Sequence, residues 1–240
     1  MLFSIEEISP AQQYKLMVAT LVPRPIAWVT TLHPSGIVNC SPFSFFNTFH
    51  GEPPVVALGL SARHRDFGKA EPGPSRGLKD TCSNIAISGE FVVNLVSFEL
   101  REAMNVTSME FPPQTDELRA ANVATAPAAK VKPPRIAASP VSYECSLFQT
   151  IDIGGGATLI LGRVLAIHVR DEAVIDSAAA QIDVGKLDLI ARMGGRGWYA
   201  RTTALFQMPG RTIEEWKAQQ VTETTQEVAD APSRVPIGST

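Results

Sequence analysis

Lys79, Asp80 and Thr81 stand together just ahead of a short apolar-periodic run that stops at Gly89. A lysine, a carboxylate and a hydroxyl are more than a helix start needs, because Asp80 or Thr81 alone can cap it. A helix N-terminus presents unpaired N–H groups and the positive end of the helix dipole. An ammonium and a hydroxyl at the same place complete an anion site, and these residue types suit a phosphate better than a metal. The alternative is a capped helix with an exposed lysine, which accounts for Asp80 alone; Lys79 tips the balance toward the anion site. Cys82, Ile85 and Ala86 are expected on the buried face of this helix, and Gly89 as its left-handed stop.

A second constellation is SPFSFFN, residues 41–47, where serines alternate with aromatics just after a strand. Such clusters are most often core phenylalanines with turn serines. As a site, the segment is a platform for a flat ring: backbone N–H groups and short hydroxyls meet its polar edge, and the aromatics exclude water.

Other chemistries find little support. His33, His50, His64 and His168 show no ligand spacing, and His168 ends an apolar strand as a packed or edge residue. Cys40, Cys82 and Cys145 are far apart, with no CxxC pair, so they read as buried thiols in a reducing cytoplasm and no metal site is expected. Gly195-Arg-Gly197-Trp-Tyr-Ala200 fits G-x-G-x-x-A literally, but no helical pattern follows, so a turn is the better reading. Neither a Walker A sequence nor a GxSxG elbow occurs. With a net charge of −3 and no basic run, nucleic acid is not an expected partner. The first residues carry two glutamates and no basic segment, and no apolar run reaches spanning length, so neither a secretion signal nor a membrane is expected.

The elements that must position these residues are mostly strands. Ser9-Pro10 opens a capped helix through AQQYKLMVAT. LVPRPIAWVTTL is extended, and IVNCSPFSFFNTF is a strand that gives way to a loop at Pro42. VVALGL, FVVNLV and VSYECSLFQTIDI read as strands; ATLILGRVLAIHV is a long strand with a bulge or barrel bend at Gly162. ELREAMNVTSM reads as a helix with Met104 and Met109 inward. Residues 61–79 form a surface loop, and residues 110–140, rich in Pro and Ala, wrap the surface. There is no regular strand–helix alternation. The expected fold is therefore mainly β, an antiparallel barrel, closed or split, with a few short helices. A domain over 1–210 is expected, with a polar tail over 211–240 that starts helical near Thr212–Gln220.

Taken together, the blocks VPRPIAWVTT, NCSPFSFFN with EPPVV, KDTCSNIAISGEFVVNLV, and LILGRVLAIHV with LDLIARMGGRGWYAR resemble the flavin reductase-like family of FMN-binding split barrels, which includes flavoredoxin. The resemblance runs from about residue 8 to residue 209. It implies an FMN cofactor with its phosphate near Lys79, Asp80 and Thr81, helped by Ser61 at the end of the 59–61 strand and braced by Asn84. It implies that Thr30, Thr31, Ser41, Ser44, Phe45 and Asn47 line the isoalloxazine, and that Arg24 reaches the flavin or orders its strand. The implied activity is NAD(P)H-dependent flavin reduction through flavin N5 in a cytoplasmic homodimer, with a partner monooxygenase as one acceptor. The alternative is a flavoredoxin-type carrier served by a protein electron donor. Two departures stand out. GKAEPGPSRG reads as an insertion on the phosphate side. Gly155-Gly156-Ala157 stands where many flavin reductases carry Gly-Asp/Asn-His, a histidine associated with the nicotinamide side.

Overall fold

The apolar runs pair into antiparallel ladders in the structure, a computed structural model that describes residues 1–61, 79–112, 115–195 and 197–218. Helix α1 (Pro10–Thr20) starts with a capping box between Ser9 and Gln12. It leads into β1 (Arg24–Pro25), β2 (Ala27–Leu32), β3 (Val38–Phe43), β4 (Phe46–Gly51) and β5 (Pro54–Ser61). Helix α2 (Asp80–Ser88) precedes β6 (Glu90–Leu95), and α3 (Arg101–Val106) and α4 (Glu117–Ala120) precede the short β7 (Thr125–Ala126) and β8 (Arg135–Ile136). The long hairpin β9 (Val141–Gly154) and β10 (Ala157–Val169) follows. The small β11 (Val174–Asp176), β12 (Gln181–Ile182), α5 (Val184–Leu187), β13 (Ile190–Arg192) and β14 (Tyr199–Arg201) complete the order.

Seven strands form one sheet in the order β3-β2-β6-β9-β10-β5-β4. Its two edge strands, β3 and β4, are joined by Ser44 and Phe45 alone. Laid flat, seven strands would separate those edges by about 28 Å. The link from Phe43 to Phe46 reaches about 11 Å. The sheet must therefore roll up until its edges meet, which makes an antiparallel split barrel with SPFSFFN at the seam. A smaller sheet, β1-β13-β14, holds Arg24 opposite Arg192.

One apolar cluster fills the barrel around Leu58, Ile85, Phe91, Val93 and Ile160. Another packs Trp28, Met104, Leu118, Ile136 and Ile190 together. The bend expected at Gly162 is present: the β9–β10 register shifts between Leu161 and Gly162. The core dictates the glycine there. A Cβ at Gly162 would lie 2.3 Å from Phe91 Cζ, so the strand yields its side chain to the phenylalanine ring.

Several local expectations are corrected. The chain does not turn into a loop at Pro42: β3 continues to Phe43, and β4 follows two residues later. Pro42 is tolerated because β3 is an edge strand. Residues 110–140 do not merely wrap the surface, since Glu117, Leu118 and Ile136 are buried. Met104 is buried as expected, but Met109 is exposed, because α3 ends at Val106. In α2 the buried residues are Thr81, Cys82, Asn84 and Ile85, and Ala86 faces out. The chain divides into compact units Met1–Thr203 and Ala204–Thr240. In the second unit residues 213–218 are helical. The Thr212 N–H donates to Glu215 Oε2 at 2.7 Å, and the Glu215 N–H to Thr212 Oγ1 at 3.2 Å. Most of the loop expected over 61–79, with the insertion, and the tail beyond residue 218 lie outside the described residues.

Candidate functional site

Lys79 is the N-cap residue of α2, with extended backbone and no side-chain cap hydrogen bond. The cap expected from Asp80 or Thr81 is not made, because both sit inside the helix. The Thr81 hydroxyl, on a residue 1% exposed, donates to Asn39 Oδ1 at 2.8 Å. Asn84 is equally buried, and its Nδ2 donates to Thr31 Oγ1 at 3.0 Å. Thr31 in turn donates to Asn39 Oδ1. These side chains bolt α2 onto β2 and β3. Lys79 keeps its place at the helix mouth, its Nζ 5.4 Å from the centre of the Phe43 ring. That contact joins the start of α2 to the barrel seam.

At the seam, Ser41 and Ser44 are half-buried, Phe43 is buried, and Phe45 and Asn47 are exposed. The Gly59 N–H donates to the Phe45 carbonyl at 2.7 Å, which ties the seam to β5 a short way before Ser61. Tyr14 of α1 meets Phe45 edge to face, with ring centres 6.3 Å apart. The Asn47 carboxamide oxygen accepts from the next N–H, of Thr48. Thr30 is fully buried, and its hydroxyl donates to the Pro134 carbonyl at 2.6 Å, so its side chain is committed to the frame. Arg24 is also frame in part: Nη1 donates to the carbonyls of Val18 and Leu21 at the end of α1, and Nε reaches Ser44 Oγ at 3.5 Å. Burial lowers its guanidinium pKa, and the charge of Arg192 adds to the fall. The structure thus places Lys79 beside Phe43, Thr81 against Asn39 and Arg24 beside Ser44.

Asn39 and Glu117 escaped the sequence reading. Both Glu117 carboxylate oxygens accept from Asn39 Nδ2, at 2.8 and 2.9 Å, and Oε2 also accepts from the Cys40 N–H at 2.6 Å. Burial pushes the Glu117 carboxyl up to about 7; the hydrogen bonds from Cys40 and Asn39 hold it back, and Asp80 adds to the rise. Nothing in a Pro- and Ala-rich segment signals a buried acid. His168 is a packed residue, as expected. It pairs with buried Glu144, which also accepts from the N–H groups of Ala129 and Lys130. Burial raises that carboxyl, but these bonds outweigh it and leave its pKa below the usual value. A cavity of about 510 Å³ opens beside the seam, with Tyr14, Arg24, Phe43, Ser44, Arg192 and Tyr199 in its wall.

Residues 19–180 match the family described as the flavin reductase like domain. An uncharacterized protein of Deinococcus radiodurans is 40% identical over 222 residues, covering 90% of this chain and 92% of its own length. Among solved structures, nitrilotriacetate monooxygenase component B from Bacillus cereus superposes with a TM-score of 0.76 at 27% identity, over 87% of this chain and 98% of that one. The 2-nitrobenzoate 2-nitroreductase NbaA of Pseudomonas fluorescens superposes with a TM-score of 0.77, also at 27% identity, over 89% and 98%.

Proposed function

The chain belongs to the flavin reductase-like domain family, and on that premise we propose that it is an FMN-dependent oxidoreductase that draws reducing equivalents from NAD(P)H. The observation that carries this reading is the meeting of the two candidate half-sites, with Lys79 at the uncapped start of α2 placed 5.4 Å from Phe43 of the seam. When bound, FMN supplies the redox chemistry, so the protein needs no nucleophile of its own. Lys79 and the first-turn N–H groups of α2 hold the phosphate, with Asp80 and Ser61 at its margin. Edge backbone groups of Ser41 through Asn47 meet the polar rim of the ring, and Phe43 and Phe45 keep water away. Thr30, Thr31, Thr81 and Asn84 act from behind, by fixing the strands and helix that carry these groups. Arg24 orders the path from α1 into β1.

Exposed apolar side chains on β4, β9 and β10, namely Phe49, Phe148, Ile153, Leu165 and Ile167, support a homodimer. Three buried free thiols fit a reducing cytoplasm. The acceptor is a small molecule or a partner monooxygenase. A second reading, a flavoredoxin-type carrier, is favoured by Ala157: the β9–β10 turn carries three glycines with positive φ followed by alanine, and no histidine.

Visible absorption of the purified protein, followed by NADH or NADPH without oxygen, tests both readings. A yellow protein that bleaches promptly supports the reductase. A yellow protein indifferent to both nucleotides supports the carrier. A protein that neither carries nor binds FMN overturns both.

A further inference from the structure

Arg24 and Arg192 face each other in register across β1 and β13. Like charges directly opposite on neighbouring strands are destabilising unless something lies between them. Both line the 510 Å³ cavity, and no aspartate or glutamate does so among the described residues. Arg24 spends Nη1 on the Val18 and Leu21 carbonyls and Nε on Ser44, while Nη2 is not among the buried atoms and has no acceptor among the described residues, which leaves it available to a ligand. Arg192 makes no hydrogen bond or ion pair there, and its guanidinium rests 4.7 Å from the Tyr199 ring centre. Nearby arginines are treated differently. Arg201 is held by both oxygens of Asp188, and Arg101 lies 3.4 Å from Glu102. The chain as a whole carries a net charge of −3, so the unpaired arginines do not reflect a generally basic surface. Two cationic side chains in one cavity wall, with no carboxylate beside them to balance the charge, call for an anion that pairs with both.

The rest of the wall says what kind of anion. Val18, Ile26, Phe43 and Met104 offer an apolar body of contact, and Tyr14 and Tyr199 offer ring faces. A bare inorganic ion would leave these groups unused. The volume suits a small organic molecule. We propose that this cavity binds a small organic carboxylate, its carboxyl group bridging Arg24 and Arg192 and its apolar body lying against Phe43 beside the seam. A planar guanidinium pair matches a carboxylate in geometry as well as in charge. The proposal rests on the flavin reading only for its role, which is to seat an acceptor or effector next to the ring; the binding itself does not need flavin.

The test is calorimetric titration of the full-length protein, with and without FMN, using benzoate as probe and benzamide as its neutral counterpart. Benzoate is expected to bind and benzamide not. Arg192→Met is expected to weaken benzoate about tenfold or more, and Arg192→Lys to restore part of the loss. Arg192 is only half-buried, so these variants keep the question open to measurement where Arg24→Met, which also loses the tie to α1, fails to fold. Equal binding of benzamide, or benzoate affinity untouched by Arg192→Met, overturns the site. Inorganic phosphate displacing benzoate at comparable concentration overturns the carboxylate assignment. Benzoate competing with FMN overturns a separate site and gives the cavity to the flavin. A protein that takes benzoate but no FMN fails the flavin reading alone.

Discussion

Lys79 and Thr81 are neighbours in sequence, and the structure separates their duties. Lys79 sits at the helix mouth, while the Thr81 hydroxyl is spent on Asn39 inside. Lys79→Met is therefore expected to weaken FMN by roughly tenfold, about one charge-assisted hydrogen bond, with the melting temperature nearly unchanged. Thr81→Val is expected to do the reverse, lowering stability by about 1–2 kcal/mol because Asn39 Oδ1 loses a donor. Fluorescence titration of FMN beside a thermal melt separates the two; a Thr81→Val variant that melts normally and binds poorly would return the hydroxyl to the ligand. Glu117 adds a pH signature. Its carboxyl titrates near 7 in the fold and near 4.5 when free. Below the lower value both states hold the proton, and the stabilisation is complete. As pH rises the unfolded chain ionises first, so stability falls and levels off above 7. Relative to Glu117→Gln, the wild type is expected to lose roughly 2–3 kcal/mol between about pH 4.5 and pH 8. Urea melts at several pH values measure it, and parallel curves for the two proteins reject the assignment.

At the scale of elements, the period of the apolar residues located the main strands and α1, because alternation and capping chemistry are local properties. Gly162 was legible for the same reason: a glycine inside a long strand marks a bend. Which ring fills the space was not, since Phe91 lies far away in the chain. Gly162→Ala is expected to cost several kcal/mol, because a Cβ 2.3 Å from Phe91 Cζ has no free direction in a packed core. Phe91→Leu in the same chain is expected to recover part of that loss, so the two substitutions together cost less than their sum. Additive effects would place the clash elsewhere. The same contrast between local and distant explains Ala86, Met109 and Pro42. The local neighbourhood of each points the other way. The facing element decided the outcome: the end of α3 for Met109, and the edge position of β3 for Pro42. At the site, the helix mouth and the seam were both legible as patterns of residue types. The Asn39–Glu117 brace behind them was not, because it joins residues 78 positions apart.

At the scale of the molecule, barrel closure follows from a two-residue link between the two edges of a seven-stranded sheet. No window of the sequence contains that fact, and only the strand order turns the link into a constraint. The elements described for the barrel all lie in one compact unit. The compact unit runs from Met1 to Thr203, and both apolar clusters, the start of α2 and the seam lie inside it. The last strand among the described residues, β14, ends at Arg201, whose Nε and Nη2 grip the two oxygens of Asp188. A chain ending at Gly210 therefore keeps every contact described for the barrel, and it is expected to melt cooperatively at about the wild-type temperature and to bind FMN with unchanged affinity. Differential scanning calorimetry and FMN titration of the shortened protein check this, with sedimentation run alongside. A lost transition would make residues 211–240 part of the folding unit. A normal melt with loss of the proposed dimer would make them an arm between copies. A dimer found in both proteins would leave the apolar faces of β4, β9 and β10 as the contact between the proposed subunits.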